Sequence, residues 1–299
     1  MANNDVPDIA SPIRTKAIME TYGLTFKKSL GQNFLTDKNV LMNIVDAGDI
    51  TAEDDVIEIG PGIGSLTEQL ARRAHKVLAI EIDQNLIPVL GETLSPYDNV
   101  DIVEQDILKA NLPALVEEHF DGQHPLKLVA NLPYYITTPI IMHLLETAVK
   151  LDTIVVMMQK EVAERIAADP GSRTYGSLTV AVQYEMDAEV AFVVPRTVFI
   201  PQPNVDSAII VLNQKEGDVE RPISEMVFFK LVKGSFAHRR KSLWNNLQSI
   251  YGKTPEIREA LQEALDASEI SAQIRAEKLS IHEFIVLSNN LIKVEEKFN

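Results

Sequence analysis

Val56-Ile57-Glu58-Ile59-Gly60-Pro61-Gly62-Ile63-Gly64-Ser65 is the stretch whose reading decides the fold. Val56 to Ile59 is a short β-branched run of the kind that forms a strand buried on both faces. It runs directly into three glycines. Ser65-Leu66-Thr67-Glu68-Gln69-Leu70-Ala71 then sets Leu66 and Leu70 on one helical face. Glycines between a strand and a helix permit a tight turn and a close approach of backbone to a ligand. Taken alone, such a turn is as consistent with a structural bend as with a cofactor loop.

Its surroundings narrow the choice. From about residue 40 to residue 160, β-branched runs alternate with amphipathic stretches, the rhythm of a parallel sheet covered on both faces. The expected strands are Val56–Ile59, Val77–Ile82, Val100–Val103, Leu126–Ala130 and Ile154–Met158, with further strands in Glu189–Val194 and Ser207–Leu212. Glu81 ends the second run, about 20 residues past Gly60, where a doubly wound fold presents a carboxylate to a ribose diol. Asp106 follows the third run and Asn131 the fourth. Polar groups at successive strand ends converge on one crevice, the place where such sheets bind ligands. The polar stretch Asn213–Asp218, with Pro222 beyond it, reads as a linker. Residues 1–214 are therefore expected to form a Rossmann-like α/β domain with a mainly parallel sheet, and residues 215–299 a small all-α domain.

The 299 residues suffice for two such domains. The first residues have neither a basic start nor an apolar core, and the longest apolar runs are too short to cross a bilayer. Without cysteine, disulfides and thiolate metal sites are excluded. The six histidines show no metal-ligand spacing, so no metal is expected. A cytoplasmic monomer with no membrane association is the default. The formal net charge of −15 opposes a nucleic-acid substrate, so the distribution of charge must decide. Residues 256–299 carry nine acids against five Lys or Arg, whereas residues 230–241 hold Lys230, Lys233, Arg239, Arg240 and Lys241 with no acid.

The glycine spacing Gly-x-Gly-x-Gly, with Glu58 ahead of it, resembles the first motif of S-adenosylmethionine-dependent methyltransferases. The Gly-x-Gly-x-x-Gly of dinucleotide enzymes is absent, and so is an obvious acid/base pair, which argues against a nicotinamide oxidoreductase. Asn131-Leu132-Pro133-Tyr134, directly after a strand, resembles the Asp/Asn/Ser-Pro-Pro-aromatic motif of enzymes that methylate exocyclic amines of bases, with Leu132 in place of the first proline. The residue types suit the chemistry. An adenine amine is a poor nucleophile because its lone pair is conjugated into the ring. If the Asn131 side-chain oxygen and a backbone carbonyl near Leu132 accept its N–H groups, the nitrogen can pyramidalise toward a methyl donor. Tyr134 supplies a stacking face worth roughly 1–3 kcal/mol, which helps offset the few kcal/mol needed to extrude a nucleotide.

Three further segments complete a resemblance. Lys28-Ser29-Leu30-Gly31-Gln32-Asn33-Phe34-Leu35, Phe199-Ile200-Pro201-Gln202-Pro203-Asn204-Val205-Asp206-Ser207 and Phe236-Ala237-His238-Arg239-Arg240-Lys241-Ser242-Leu243 resemble, in order, signatures of the ribosomal RNA adenine dimethyltransferases, the family that includes the Erm methylases. The resemblance spans roughly residues 14–290. It implies that S-adenosylmethionine is the cofactor, with Asn33 and Leu35 closing over its methionine end. Gly60 and Gly62 would line it with backbone, Glu81 bind its ribose, Asp106 meet its adenine amine, and Asn131 border it. It implies that Phe199 stacks on the target base opposite Tyr134, so that Asn131, Leu132, Pro133, Tyr134 and Phe199 form the chemical site. RNA contacts are expected from Arg239, Arg240 and Lys241, and from Lys27 and Lys28. The implied substrate is a pair of adjacent adenines in the hairpin loop near the 3′ end of 16S rRNA, on assembling small ribosomal subunits. Ser29-Leu30 in place of a more usual basic-aromatic pair, and the acidity of the chain, depart from the family pattern. An Erm-like enzyme acting on 23S rRNA and a catalytically silent RNA-binding assembly factor are the competing readings.

Overall fold

The computed structural model describes residues 7–24 and 33–298. Two compact units emerge, one built from Met1–Ala163 and Ala188–Gln214, the other from Glu164–Asp187 and Lys215–Asn299.

The first unit opens with α1 (Pro12–Thr21), β1 (Phe34–Leu35) and α2 (Lys38–Ala47), the last capped by Asp37, whose carboxylate accepts the Asn39 and Val40 N–H groups. Strands and helices then alternate: β2 (Asp55–Ile59), α3 (Ser65–Ala71), β3 (Lys76–Glu81), α4 (Ile87–Thr93), β4 (Val100–Glu104), α5 (Leu112–His119), β5 (Leu126–Asn131), α6 (Thr137–Glu146) and β6 (Thr153–Gln159). After α7 (Lys160–Ile166) and α8 (Ser177–Glu185), the chain adds β7 (Met186–Val194), β8 (Phe199–Ile200) and β9 (Ser207–Gln214). Seven strands form one sheet in the order β4-β3-β2-β5-β6-β9-β7, and β1 pairs separately with β8. The strands from β4 to β6 are mutually parallel, and β9 is antiparallel to β6. Every residue of β2 is buried, as expected of a central strand with helices on both faces. The chain moves outward from β2 to β3 and β4, then returns to the other side of β2 as β5. The cleft of a doubly wound sheet opens at such a reversal. All seven expected strands are present.

The second unit packs α8 with α9 (Glu225–Ser235), α10 (Leu243–Tyr251), α11 (Pro255–Ala267) and α12 (Ile281–Phe298). Tyr175, Tyr184, Phe228, Leu261 and Phe284 are buried in its core. The Tyr184 ring lies 4.8 Å from that of Phe228, and its hydroxyl donates to Glu225 at 2.8 Å. The single cut expected at 214/215 therefore needs correction, because residues 164–187 cluster with the helical unit. A linear reading assigns a segment to its sequence neighbours, but Tyr175, Val180 and Tyr184 bury their apolar surface against helices encoded later. No described helix is long and apolar enough to cross a membrane.

Candidate active site

At the C-terminal ends of β2 to β5 lies an open cleft lined by Gly60, Glu81, Asp106 and Asn131. Its floor is the turn after β2. Gly60 and Gly62 have φ of +71° and +61°, a region that side chains other than glycine enter at a cost. A Cβ on Gly62 would lie 3.1 Å from the Phe34 ring, so the turn is closed on one side by an aromatic face. A Cβ on Gly60 would meet only the Asn131 carbonyl, at 3.9 Å, and would otherwise project into open space.

Two carboxylates stand beside this floor. Glu81, at the end of β3 and 5% exposed, accepts the Gly62 N–H at 3.2 Å through Oε2 and the Asp83 N–H at 2.8 Å through Oε1. Burial raises its pKa, opposed by those backbone donors. The same side chain thus fixes the glycine turn and keeps lone pairs for a ligand. Glu58, at 1% exposure, is buried more deeply, and its Oε2 has no hydrogen-bond partner among the described residues. Burial pushes its carboxyl up to about 8, with the Thr67 hydroxyl pulling the other way and Glu81 adding to the rise. Asp106, just past β4, accepts the Leu108 N–H at 3.1 Å and faces the exposed Lys109.

The opposite wall comes from the end of β5. The Asn131 backbone is held by pairing with Met157 across the β5–β6 ladder, and the Leu132 N–H donates to the Met157 carbonyl at 3.4 Å. No described residue hydrogen-bonds the Asn131 side-chain amide, so its donor and acceptor are available to the cleft. The Pro133 carbonyl accepts from the Ile136 N–H and the Thr137 hydroxyl, both at 3.1 Å, closing a tight turn before α6. Within this turn Tyr134 is half-buried, and its hydroxyl meets Ser207 Oγ at 2.8 Å. Burial raises its pKa, opposed by Ser207 and reinforced by Asp206, so the phenol is neutral near pH 7.

The remaining site residues arrive through the β1–β8 pairing. Leu35 lies opposite Phe199, and Thr36 donates to the Val198 carbonyl through both N–H and hydroxyl, across 162 positions of sequence. This clip brings Asn33, Phe34, Leu35 and Phe199 to the cleft. Phe199, 4% exposed, also belongs to the core beside Val194 and Ile209. One cleft therefore gathers Asn33, Leu35, Gly60, Gly62, Glu81, Asp106, Asn131, Leu132, Pro133, Tyr134 and Phe199. Sequence reasoning passed over Ser207, the partner of Tyr134, and Tyr135, which lines the mouth. It saw Glu58 only as part of a motif. A charged residue inside the otherwise apolar run Val56–Ile59 was the available signal for Glu58.

Arg239, Arg240 and Lys241 lie in the other unit. Arg240 and Lys241 are exposed. Arg239 donates to the backbone carbonyls of Arg173 and Tyr175 at 2.7 and 2.9 Å, so its guanidinium already serves the local fold. Lys230 is paired with Glu295, which trims the basic stretch further. Lys27 and Lys28 lie outside the described residues. Among the described residues no three His, Asp or Glu side chains converge as metal ligands would.

Comparison with known proteins places this geometry in context. A family model described as ribosomal RNA adenine dimethylase matches residues 23–293. The Ligilactobacillus salivarius protein named ribosomal RNA small subunit methyltransferase A is 68% identical over 97% of this chain and 98% of its own length. Its Enterococcus faecalis namesake is 56% identical over 97% and 98%. Among solved structures, a dimethyladenosine transferase from Plasmodium falciparum superposes with a TM-score of 0.73 at 26% identity, covering 88% of this chain and 98% of that one. The 23S rRNA methyltransferase ErmE gives 0.66 at 27% identity, covering 87% and 99%.

Proposed function

We propose, from the premise that this chain belongs to the ribosomal RNA adenine dimethylase family, that it dimethylates two adjacent adenines in the hairpin loop near the 3′ end of 16S rRNA on assembling small subunits. Relatives at 56% and 68% identity carry the small-subunit name, against 27% for ErmE, which favours small-subunit over large-subunit RNA. The observation that carries the reading is the meeting, in one cleft, of an unengaged Asn131 amide and two aromatic rings with a glycine floor and buried carboxylates.

S-adenosylmethionine, the family's cofactor, fits these residues. The unpartnered Oε2 of Glu58 suits a ligand ammonium, the Glu81 carboxylate suits ribose hydroxyls, and the space above Gly60 suits a ligand pressed against backbone. Asp106 would meet the adenine amine, with Asn33 and Leu35 over the methionine end. Bound there, the cofactor supplies a methyl group already activated by its sulfonium. The protein's own residues then align and stabilise. Tyr134 and Phe199 offer ring faces to the target base, and Ser207 holds the Tyr134 ring in place. The Asn131 oxygen accepts one N–H of the amine, and the Leu132 carbonyl accepts the other. As the nitrogen gains positive charge its N–H groups become stronger donors, so these acceptors favour the transition state over the ground state. The amine is unprotonated near neutral pH, so no base is needed to start the attack.

The helical unit is assigned RNA and ribosome contacts, carried chiefly by Arg240 and Lys241, with Lys27 and Lys28 as further cations. The enzyme is assigned to the cytoplasm, with its ribosomal substrate, and as a monomer. The test is mass spectrometry of RNA from small-subunit assembly intermediates incubated with the protein and labelled S-adenosylmethionine. Label in paired N6,N6-dimethyladenines near the 3′ end is expected, and its absence there refutes the assignment.

A further inference from the structure

Tyr135 follows Tyr134 in the same turn but is held quite differently. Tyr134 is half-buried and tethered through its hydroxyl to Ser207, at the wall of the cleft. Tyr135 is 61% exposed, also lines the cleft, and no hydrogen bond or ring contact engages its side chain among the described residues. Its backbone is nonetheless fixed. It is a central residue of the turn closed by the Ile136 N–H on the Pro133 carbonyl and braced by the Thr137 hydroxyl, with α6 starting immediately after. A large ring is thus presented to solvent at the mouth of a cleft by backbone that costs little to order. A preorganised tyrosine of this kind loses few rotamers on binding, one reason tyrosine is favoured in recognition surfaces.

We propose that Tyr135 is a specificity-determining stacking platform for the base of the nucleotide adjoining the target adenosine. This rests on the base-methylating reading above. When the target base enters the cleft past Asn131 and Tyr134, the polynucleotide chain keeps its neighbour at the mouth, where Tyr135 stands. Extrusion strips both bases of their mutual stacking, and the free face of Tyr135 restores it for the one left outside. A purine covers more of that ring than a pyrimidine does, so a purine neighbour is preferred. A pair of adjacent adenines satisfies this requirement whenever either member is the target.

The experiment uses the full-length protein and small subunits reconstituted on RNA that carries 2-aminopurine, or an abasic residue, beside the target adenosine. Wild type is expected to quench 2-aminopurine fluorescence on binding, Tyr135→Phe to quench equally, and Tyr135→Ala to lose the quench. Tyr135→Ala should bind the purine-containing subunits about 5- to 150-fold more weakly, the range for one base–aromatic stack. Its affinity for S-adenosylmethionine should stay unchanged. With the abasic residue, wild type and Tyr135→Ala should bind alike. Undiminished quenching by Tyr135→Ala, or an equal loss of affinity by both proteins at the abasic site, overturns the proposal. Single-turnover transfer by wild type to the target adenosine is measured alongside. Failure of that transfer counts against the base-methylating reading itself, whereas transfer with no Tyr135 effect removes only the platform.

Discussion

Replacing Asn131 by alanine separates chemistry from folding unusually well. The side chain makes no hydrogen bond among the described residues, while its backbone is secured by the β5–β6 ladder, so removing the amide leaves no buried group unsatisfied. The stability change should stay within about 0.5 kcal/mol, as for a substitution that touches no packing or polar network. Phe199→Ala, by contrast, would remove a 4%-exposed core ring at about 3–5 kcal/mol, confounding any loss of rate. The catalytic cost follows from the role of the Asn131 oxygen as an acceptor that tightens while charge develops. Removing one preorganised hydrogen bond of that kind lowers rates by about 10²–10³, roughly 2.7–4 kcal/mol of barrier. The assay is single-turnover methyl transfer at saturating S-adenosylmethionine, with thermal melting and RNA affinity measured in parallel. A 10²–10³ drop in rate with unchanged melting and RNA binding is expected. A rate within a few-fold of wild type would refute the amine-directed role and leave Asn131 as part of a turn.

Glu81→Gln should keep an oxygen for the Gly62 N–H yet lose the charged acceptor, weakening S-adenosylmethionine by about 1.5–3 kcal/mol in calorimetric titration; unchanged affinity would remove Glu81 from the cofactor site. Glu58 has its folded pKa raised to about 8 from 4.5, so the folded state binds the extra proton between these values, and stability should decline as pH rises from about 5 to 8. Denaturant titrations across that window should show a shallower decline for Glu58→Gln, and parallel curves would exclude Glu58 as the source. Arg240→Ala with Lys241→Ala should reduce the salt slope of RNA binding by roughly 0.7–0.9 for each phosphate that these cations neutralise; an unaltered slope would place the RNA surface elsewhere. Arg239→Ala should instead lower thermal stability, on the order of 1 kcal/mol, because the Arg173 and Tyr175 carbonyls lose their donor; an unchanged melting temperature would contradict that role.

The elements that sequence reading recovers are those fixed by local periodicity. Val56–Ile59 and its companion runs are short, rich in β-branched residues and separated by helical patterns, and strand ends in a doubly wound sheet converge by topology, so Glu81, Asp106 and Asn131 were legible together. Phe199 was legible only through family resemblance. Its flanking residues are apolar, and its place in the cleft depends on a two-residue pairing with Leu35 that leaves no periodic trace. Tertiary partnership explains the rest. Nothing in Arg239-Arg240-Lys241 announces that the first arginine turns inward to two carbonyls while its neighbours stay exposed. Nothing in residues 164–187 shows that the helices covering them are encoded beyond residue 215.

That discontinuous second unit has a consequence for synthesis. The segment bearing Tyr175, Val180 and Tyr184 leaves the ribosome well before the helices that bury it. At about 5–20 residues per second, the roughly one hundred residues that must follow occupy on the order of 5–20 s. During that interval two tyrosines and a valine destined for a dry interior stand in water between strands of a sheet that is itself incomplete until β9 emerges. Nascent chains are therefore open to chaperone capture and to off-pathway association from the emergence of α8 until α12 is made. Slowing elongation across residues 188–298 should lengthen that exposure, while slowing it before residue 164 should not.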